Sequence, residues 1–191
     1  MLNPILGSIL SPILKPILGG AIDYVAQLDG AMQSWQLTSP IQLQSGWKVK
    51  YKFRCDGGTG NVVYLHGNSS TSSSLSAYVV PSTGQLSLFG SINEKLNGDA
   101  FANNSIIQLG VEYELEFEVS STKDVSSLFK LQNIEKYTAG YVYDLEVTDE
   151  NGVVIHEIPL TNKAQGATQL ATVGSVNAFM PNYTEAVWRK P

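Results

Sequence analysis

The chain has 191 residues, of which 43% are hydrophobic and 15% are charged, and its formal net charge is -5. This composition provides for one sizeable core, and all-β sandwiches of this length are commonly single domains. The twelve Lys and Arg residues form no run, which argues against a nucleic-acid partner. The single Cys55 cannot form an internal disulfide, and two histidines are too few to expect a zinc site. We therefore expect no metal and no cofactor.

A four-residue repeat occupies residues 4 to 19 and reads Pro-Ile-Leu-Gly, Ser-Ile-Leu-Ser, Pro-Ile-Leu-Lys, Pro-Ile-Leu-Gly. Its prolines remove backbone donors and disfavour a regular helix. So much exposed hydrocarbon needs a partner, and Gly19-Gly20 predicts a hinge after it. We expect residues 1 to 20 to be an irregular apolar peptide for anchoring or assembly, hereafter the apolar peptide. Its expected contact residues are Pro4, Ile5, Leu6, Ile9, Leu10, Pro12, Ile13, Leu14, Pro16, Ile17 and Leu18.

The sequence is compatible with more than one binding partner for the apolar peptide. It packs on its own domain, or lies in a groove of another protein, or winds with copies of itself around a symmetry axis, as in a trimer. A membrane partner is disfavoured because Lys15 is the only cation that can meet anionic lipid. The prolines and the absence of a basic start also argue against a secretory signal, and no stretch of eighteen apolar residues predicts a transmembrane helix.

From residue 21 onward the pattern predicts β-structure. Residues 47 to 54 alternate between an inner aromatic face, Trp47, Val49, Tyr51 and Phe53, and a solvated basic face, Lys48, Lys50, Lys52 and Arg54. Residues 111 to 120 alternate in the same way, and the outward residues are Glu112, Glu114, Glu116 and Glu118. Pro40 predicts a break, the Asn-rich residues 93 to 104 predict a long connection, and residues 125 to 136 predict a brief helical turn.

Residues 141 to 160 predict a hairpin around Asn151-Gly152, with His156 on the inner face as a core histidine. Both registers considered place Tyr143, Leu145 and Val147 on that face, together with Tyr141. A two-residue turn sets Glu146 opposite a second Glu, a like-charge pair that costs about a few tenths of a kcal/mol. A four-residue loop over residues 149 to 152 sets Glu146 opposite Ile155 instead, and we expect this longer loop.

Several of these stretches together resemble the concanavalin A-like lectin/glucanase domains, which are laminin-G-like jelly rolls common in bacteriophage structural proteins. The matching stretches are Tyr-Val-Ala-Gln-Leu-Asp-Gly at residues 24 to 30, the segment at residues 35 to 53, the strand at residues 110 to 119, and the hairpin that leads to Trp188. The resemblance covers about residues 22 to 188. It implies an all-β fold, a two-sheet antiparallel jelly-roll sandwich of about six or seven strands per sheet. The expected domain spans residues 21 to 191.

The resemblance also frames the expected function. We expect a non-enzymatic structural protein at the surface of a bacteriophage virion, of decoration or fibre type, whose jelly-roll head faces outward. Its expected partners are other virion proteins or copies of itself. The alternative is a lectin-like module that recognises a glycan of the host surface. Candidate sugar-stacking residues are Tyr78, Tyr137 and Tyr183, because no inward strand face claims them.

A glycoside hydrolase is the third reading. Glucanases of this fold carry a nucleophile and an acid on one strand face in the pattern Glu, apolar, Asp, apolar, Glu, and period-two spacing aligns such carboxyls along a cleft. Here Glu114, Glu116 and Glu118 follow that spacing, but Glu116 replaces the Asp. We expect a solvated acidic face and no catalytic residue. The candidate oxygen ligands for calcium, Asp56, Asp99, Asn103 and Asn104, lack the spacing of a calcium loop.

Overall fold

The computed structural model describes residues 24 to 68, 75 to 131 and 134 to 191. The predicted apolar peptide lies outside these residues, as does the start of the predicted domain at residues 21 to 23. In chain order, the strands of the described residues are β1 Val25–Ala26, β2 Leu28–Asp29, β3 Trp35–Leu43, β4 Lys48–Gly58, β5 Val63–Gly67, β6 Ser76–Val80, β7 Gln85–Phe89, β8 Ser91–Leu96, β9 Asp99–Ala100, β10 Glu112–Val119, β11 Lys123–Leu128, β12 Lys130–Leu131, β13 Ile134–Thr148, β14 Val154–Ile158, β15 Thr168–Gln169, β16 Ala178–Phe179 and β17 Trp188–Arg189.

Two antiparallel sheets build the fold. Sheet I has eight strands, in the order β12-β13-β4-β10-β8-β9, with β14 and β2 also paired to β13. Sheet II has seven strands, in the order β15-β16-β3-β11-β5-β6-β7. Short 3-10 helices at Lys163–Gln165 and Glu185–Val187 are the helical elements of the described residues. Within that part of the chain, no helix has the length and apolarity to cross a membrane.

The hydrophobic core lies between the two sheets. Sheet I contributes Phe53 and Phe117, and sheet II contributes Trp35 and Leu65, all of them fully buried. These side chains alternate with charged ones along β4 and β10, as the period-two pattern predicts. The predicted fold class, an all-β two-sheet antiparallel sandwich, is confirmed.

The first and last strands of the described chain meet at one place. Val25 of β1 lies opposite Arg189 of β17, and Ala26 lies opposite Trp188. The backbone N–H of Gln27 donates to the carbonyl of Val187 at 2.8 Å. The described chain therefore begins beside the strand with which it ends.

The hairpin forms between β13 and β14, but the predicted register is wrong. Glu146 lies opposite Glu157 rather than Ile155, and a bulge near the turn leaves a connection over residues 149 to 153. The repulsion between these two carboxylates is offset by partners that lie outside the hairpin. Lys50 Nζ lies 3.2 Å from Glu146 Oε1, and the hydroxyl of Thr172 donates to Glu157 Oε2 at 2.8 Å.

A β-bulge interrupts the pairing of β13 with β4. Tyr143 lies opposite Lys52, whereas Glu146 lies opposite Lys50, so β13 carries one extra residue between these pairs. Within this interval Asp144 adopts a left-handed backbone with φ of 54°. Aspartate tolerates that conformation better than most residues, because its short polar side chain can form local hydrogen bonds.

The bulge reverses which side chains of β13 face the core. Before it, Val142 lies opposite Phe53 and is fully buried, while Tyr141 and Tyr143 occupy the outer face of sheet I. After it, Leu145 points into the core. The prediction that both tyrosines share the inner face with Leu145 is wrong, because strict alternation cannot include an extra residue.

Three local predictions are also corrected. The strand β3 continues through Pro40, which lies in an irregular section opposite β11, where a missing N–H disturbs the ladder least. The expected long connection over residues 93 to 104 contains β8 and β9, which extend sheet I. The expected helical turn over residues 125 to 136 is replaced by strands β11, β12 and the start of β13.

A tyrosine and a histidine meet in the core. The hydroxyl of Tyr51 lies 2.6 Å from Nδ1 of His66, and the imidazole stacks on Phe117 with ring centroids 4.9 Å apart. Nε2 of His66 is buried and has no hydrogen-bond partner among the described residues. Burial lowers the pKa of His66 to about 3. The folded protein therefore holds this imidazole neutral at neutral pH and in mild acid.

We predict that His66 makes the fold sensitive to acid. An unfolded histidine titrates near pH 6.5, so between about pH 6.5 and 3 the unfolded chain binds a proton that the folded chain refuses. The free energy of unfolding should fall with decreasing pH in this window, by at most about 1.4 kcal/mol per pH unit from this residue. Urea unfolding measured at several pH values will show the slope.

The matched control is the double variant Tyr51→Phe with His66→Phe, which removes both polar groups together and keeps two aromatic rings in the core. The difference in unfolding free energy between the natural protein and this variant should change with pH. Parallel profiles for the two proteins between pH 6.5 and 4 would contradict the prediction.

Candidate functional site

The outer face of sheet I carries a ladder of opposite charges. Each glutamate of β10 lies directly opposite a cation of β4, and the pairs are Glu112 with Arg54, Glu114 with Lys52, Glu116 with Lys50, and Glu118 with Lys48. The strand β8 extends the ladder, because Lys95 Nζ lies 2.8 Å from Glu116 Oε1. Partly exposed pairs such as this contribute at most about 1 kcal/mol each. The predicted outward orientation of both charged sets is confirmed.

A tyrosine cluster stands at one end of this ladder, and sequence reasoning missed it. The hydroxyl of Tyr141 donates to Glu112 Oε2 at 3.1 Å, and that of Tyr143 donates to Glu112 Oε1 at 2.9 Å. Both tyrosines are buried, with 6% and 3% of their surface exposed. Arg54 lies over the Tyr141 ring at 5.7 Å, and Lys52 lies over the Tyr143 ring at 5.4 Å.

The surroundings keep both phenols protonated. Burial raises the pKa of Tyr143 well above its ordinary value, and the hydrogen bond to Glu112 and the charge of that carboxylate raise it further. The pKa of Tyr141 is raised by the same causes, and the nearby Arg54 guanidinium opposes the rise. These hydroxyls are hydrogen-bond donors, so they cannot serve as bases at neutral pH.

Three of the four candidate calcium ligands, Asp56, Asn103 and Asn104, are engaged by other protein groups, and Asp99 is exposed in β9. Arg54 Nε donates to Asp56 Oδ1 at 2.7 Å, and Gln27 Nε2 donates to Asp56 Oδ2 at 3.0 Å. The Asn103 amide exchanges hydrogen bonds with the backbone of Leu88 at 2.8 and 2.9 Å. Among the described residues, no three His, Cys, Asp or Glu side chains are grouped so as to hold a metal ion.

A polar pocket of about 230 Å³ opens on the same face beside the bulge. Its two cations are paired within the pocket, Lys50 with Glu146 at 3.2 Å and Lys52 with Asp144 at 3.3 Å. The full lining is Lys50, Tyr51, Lys52, Glu114, Asp144, Glu146, Glu157 and Pro159. The arrangement is a network of ion pairs on a solvated sheet face, with two further carboxylates, Glu114 and Glu157, in its lining.

The three predicted ligand tyrosines lie on three different elements, Tyr78 on β6, Tyr137 on β13 and Tyr183 after β16. Tyr137 accepts a hydrogen bond from Lys130 Nζ at 3.1 Å, and that ammonium lies 4.8 Å from the ring centroid. The Tyr183 hydroxyl accepts from Trp188 Nε1 at 3.0 Å and donates to a carboxylate at 2.8 Å. Both hydroxyls therefore have structural partners.

Tyr78 belongs to an aromatic row on the outer face of sheet II, formed with Tyr64 and Phe89. The ring of Tyr78 lies 6.1 Å from that of Tyr64 in an edge-to-face arrangement. It also lies 5.7 Å from the ring of Phe89, and those two planes differ by 21°. Phe89 remains 50% exposed. The aromatic row exposes adjacent apolar ring surfaces to solvent. Of its three residues, only Tyr78 was a candidate from the sequence.

A third surface is a shallow groove of about 470 Å³ where the ends of the described chain meet, hereafter the terminal groove. Its walls are more apolar than polar. It is lined by Gln27, Leu28, Asp29, Met32, Gln33, Asn182, Thr184, Ala186, Val187 and Arg189. Residues near both ends of the described chain form this groove, so no local sequence pattern could reveal it.

Comparisons of the chain with protein-family models, with curated proteins and with solved structures found no match. Three surfaces of the described residues bear on function. The face of sheet I is a network of charges, the aromatic row suits ring stacking, and the terminal groove suits an apolar segment.

We predict that Glu112 stabilises the tyrosine cluster. Replacing it in Glu112→Gln weakens two charge-assisted hydrogen bonds and should lower the free energy of unfolding by about 1–2 kcal/mol. The pKa values of Tyr141 and Tyr143 should also fall, because the negative charge that raises them is gone. Urea unfolding measures the first effect, and alkaline titration of tyrosine absorbance measures the second.

Glu118→Gln is the matched control on the same strand face. Its carboxylate accepts a hydrogen bond from Asn93, which is exposed, so its removal should cost at most about 0.5 kcal/mol. Equal losses of stability in the two variants would show that the tyrosine cluster adds nothing beyond the charge ladder.

Proposed function

We propose that the chain is a non-enzymatic structural protein of a bacteriophage virion, a decoration or fibre-type subunit at the particle surface. The apolar peptide fastens it to other virion proteins or to copies of itself, and the sandwich, hereafter the head, faces outward. The observation that carries the proposal is the pairing of β1 with β17. It fixes the start of the described chain beside the last strand of a two-sheet domain, and the apolar peptide precedes that start in the sequence.

The chemistry of the described residues supports a structural role. Glutamates at the spacing of glucanase catalytic residues lie opposite cations, as Glu114 does opposite Lys52. Burial raises the pKa of Cys55 to about 11, so its thiol stays protonated at neutral pH. His66 is buried and neutral. None of these groups is arranged as an activated nucleophile beside a base.

The sequence of the apolar peptide supports self-association or attachment to a protein. Eight Ile and Leu residues within residues 4 to 18 gain most from burial against another apolar surface, at about 25 cal/mol per Å². Closed symmetric assembly buries such segments for every copy at once. With Lys15 as its one cation, the segment is poorly matched to anionic lipid.

We predict that deleting residues 1 to 20 leaves a folded head that no longer assembles. The core of the described residues lies between positions 25 and 188, so the melting temperature should be unchanged. Sedimentation velocity should show concentration-dependent oligomers for the 191-residue chain and a monomer for the truncated one. Co-purification with virus particles should be lost in parallel.

The matched control keeps the length and replaces residues 1 to 20 by a Gly/Ser linker, which is flexible and has no apolar side chains. This variant should behave like the deletion. Assembly that persists in either variant overturns the anchoring role.

The aromatic row favours a second candidate function, recognition of a host-surface glycan. Sugar rings stack their C–H faces on exposed aromatic side chains, and Tyr78 with Phe89 offers two neighbouring rings with nearly parallel planes. This function is compatible with an anchored head that faces outward. It assigns the contact to Tyr78 among the three predicted tyrosines, and adds Phe89.

We predict that any glycan binding is lost when the aromatic row is interrupted. On a glycan array, Tyr78→Ala and Phe89→Ala should each weaken saturable binding by at least about tenfold, because stacking surface is removed. Tyr137→Ala is the control, since this tyrosine lies on the other sheet and pairs with Lys130. No saturable binding by the natural protein, or equal loss in the control, refutes this candidate.

A further inference from the structure

The terminal groove has the build of a site for apolar side chains. Leu28 and Val187 are buried in its floor, and Met32 stands at its side with 54% of its surface exposed. Ala186 is exposed and leaves room beside them. Methionine adapts its shape to apolar ligands, so this wall can fit branched side chains such as Ile and Leu.

Polar groups at the groove also suit the repeat. Asp29 accepts backbone hydrogen bonds from Ala31, Met32 and Gln33, which lower its pKa and keep its carboxylate charged. A charged carboxylate complements Lys15, the one cation of the repeat. Arg189 spends one N–H on the Trp188 carbonyl at 3.0 Å, and its guanidinium carries further donors for peptide carbonyls.

The repeat is close in sequence to the residues that line this groove. The strand β1 begins at Val25, and the next residues, Gln27 and Leu28, already line the groove. Gly19 and Gly20 lie only a few residues upstream. In every copy of the chain, only a short stretch of sequence therefore separates the apolar repeat from the residues that line the groove.

The repeat exceeds what one groove can hold. Residues 4 to 18 extend over as much as about 50 Å, whereas a volume of about 470 Å³ is that of a site for one small ligand. The four units share an Ile-Leu pair, so each offers the same anchor side chains. Each chain thus has one terminal groove and four equivalent units. These numbers fit an arrangement in which the units of one copy bind the grooves of other copies.

We propose that the terminal groove of one copy binds an Ile-Leu unit of the apolar peptide of a second copy. The inference rests on the proposed function and names the partner of the anchor, another copy of this chain. Reciprocal exchange closes a symmetric oligomer, and the unused units remain free for further copies or for the particle. The groove is then the receptor and the repeat is the ligand of one self-assembly reaction.

The test mixes two incomplete chains. The first keeps the apolar peptide and carries Met32→Glu with Ala186→Glu, two exposed positions where an added charge blocks apolar contact without touching the core. The second keeps the groove and lacks residues 1 to 20. Light scattering after size exclusion should find each alone monomeric, or at least about tenfold weaker in self-association, while an equimolar mixture forms a mixed oligomer.

The control is Val153→Glu, a residue that is 56% exposed in the hairpin connection and away from the groove lining. It should self-associate like the natural chain. All variants must keep the natural melting temperature, and either single substitution, Met32→Glu or Ala186→Glu, replaces the pair if the double variant does not.

The outcomes separate this inference from the proposed function. If the groove variant assembles as the natural chain does, while deletion of residues 1 to 20 abolishes assembly, the groove is wrong and the anchor stands. If the natural chain stays monomeric and its own repeat covers the groove, the repeat binds the groove of the same chain, and binding between copies is wrong. If the deletion changes nothing, both fail.

Discussion

The three-strand contact of β4 with β10 and β13 is the constraint on which the rest of the head depends. One face of these strands supplies the aromatic core, including Phe53 and Phe117. The other face supplies the charge ladder and the tyrosine cluster. Because a strand alternates strictly between faces, neither surface can change register without moving the other. The bulge at Asp144 is the point where the strand departs from this rule and turns two tyrosines outward.

Strong alternation made the fold class predictable. The runs along β4 and β10 identified both the core side chains and the outward charges, since local periodicity determines which face is buried. The parts that failed depend on partners distant in sequence. The Glu146 register is tolerated because Lys50 and Thr172 stabilise the two carboxylates. Both partners lie outside the hairpin, so an energy cost that counts only the two like charges does not include them. The tyrosine cluster needs an extra residue in β13 and an acceptor on β10.

The candidate sites likewise divide into features that a local sequence pattern predicts and features that depend on residues distant in sequence. Tyr78 was a candidate because it lay outside an inward pattern, but its neighbour Phe89 enters only through the pairing of β6 with β7. The terminal groove joins residues near 30 with residues near 185, so it exists only after the sheets have formed. The repeat, by contrast, is legible in the sequence alone. The proposed self-assembly thus combines a local signal with a surface that only the tertiary structure creates.

The charge ladder has a consequence for crowding. Its four cations and four glutamates balance one another, while Asp144 and Glu146 beside the bulge add negative charge to the same face. The field of such alternating charges decays over a distance shorter than the ladder itself, well within the Debye length of about 8 Å at physiological salt. Two molecules that approach across this face therefore experience little force from the ladder itself, and the repulsion that remains comes from the carboxylates beside the bulge and weakens as salt is added.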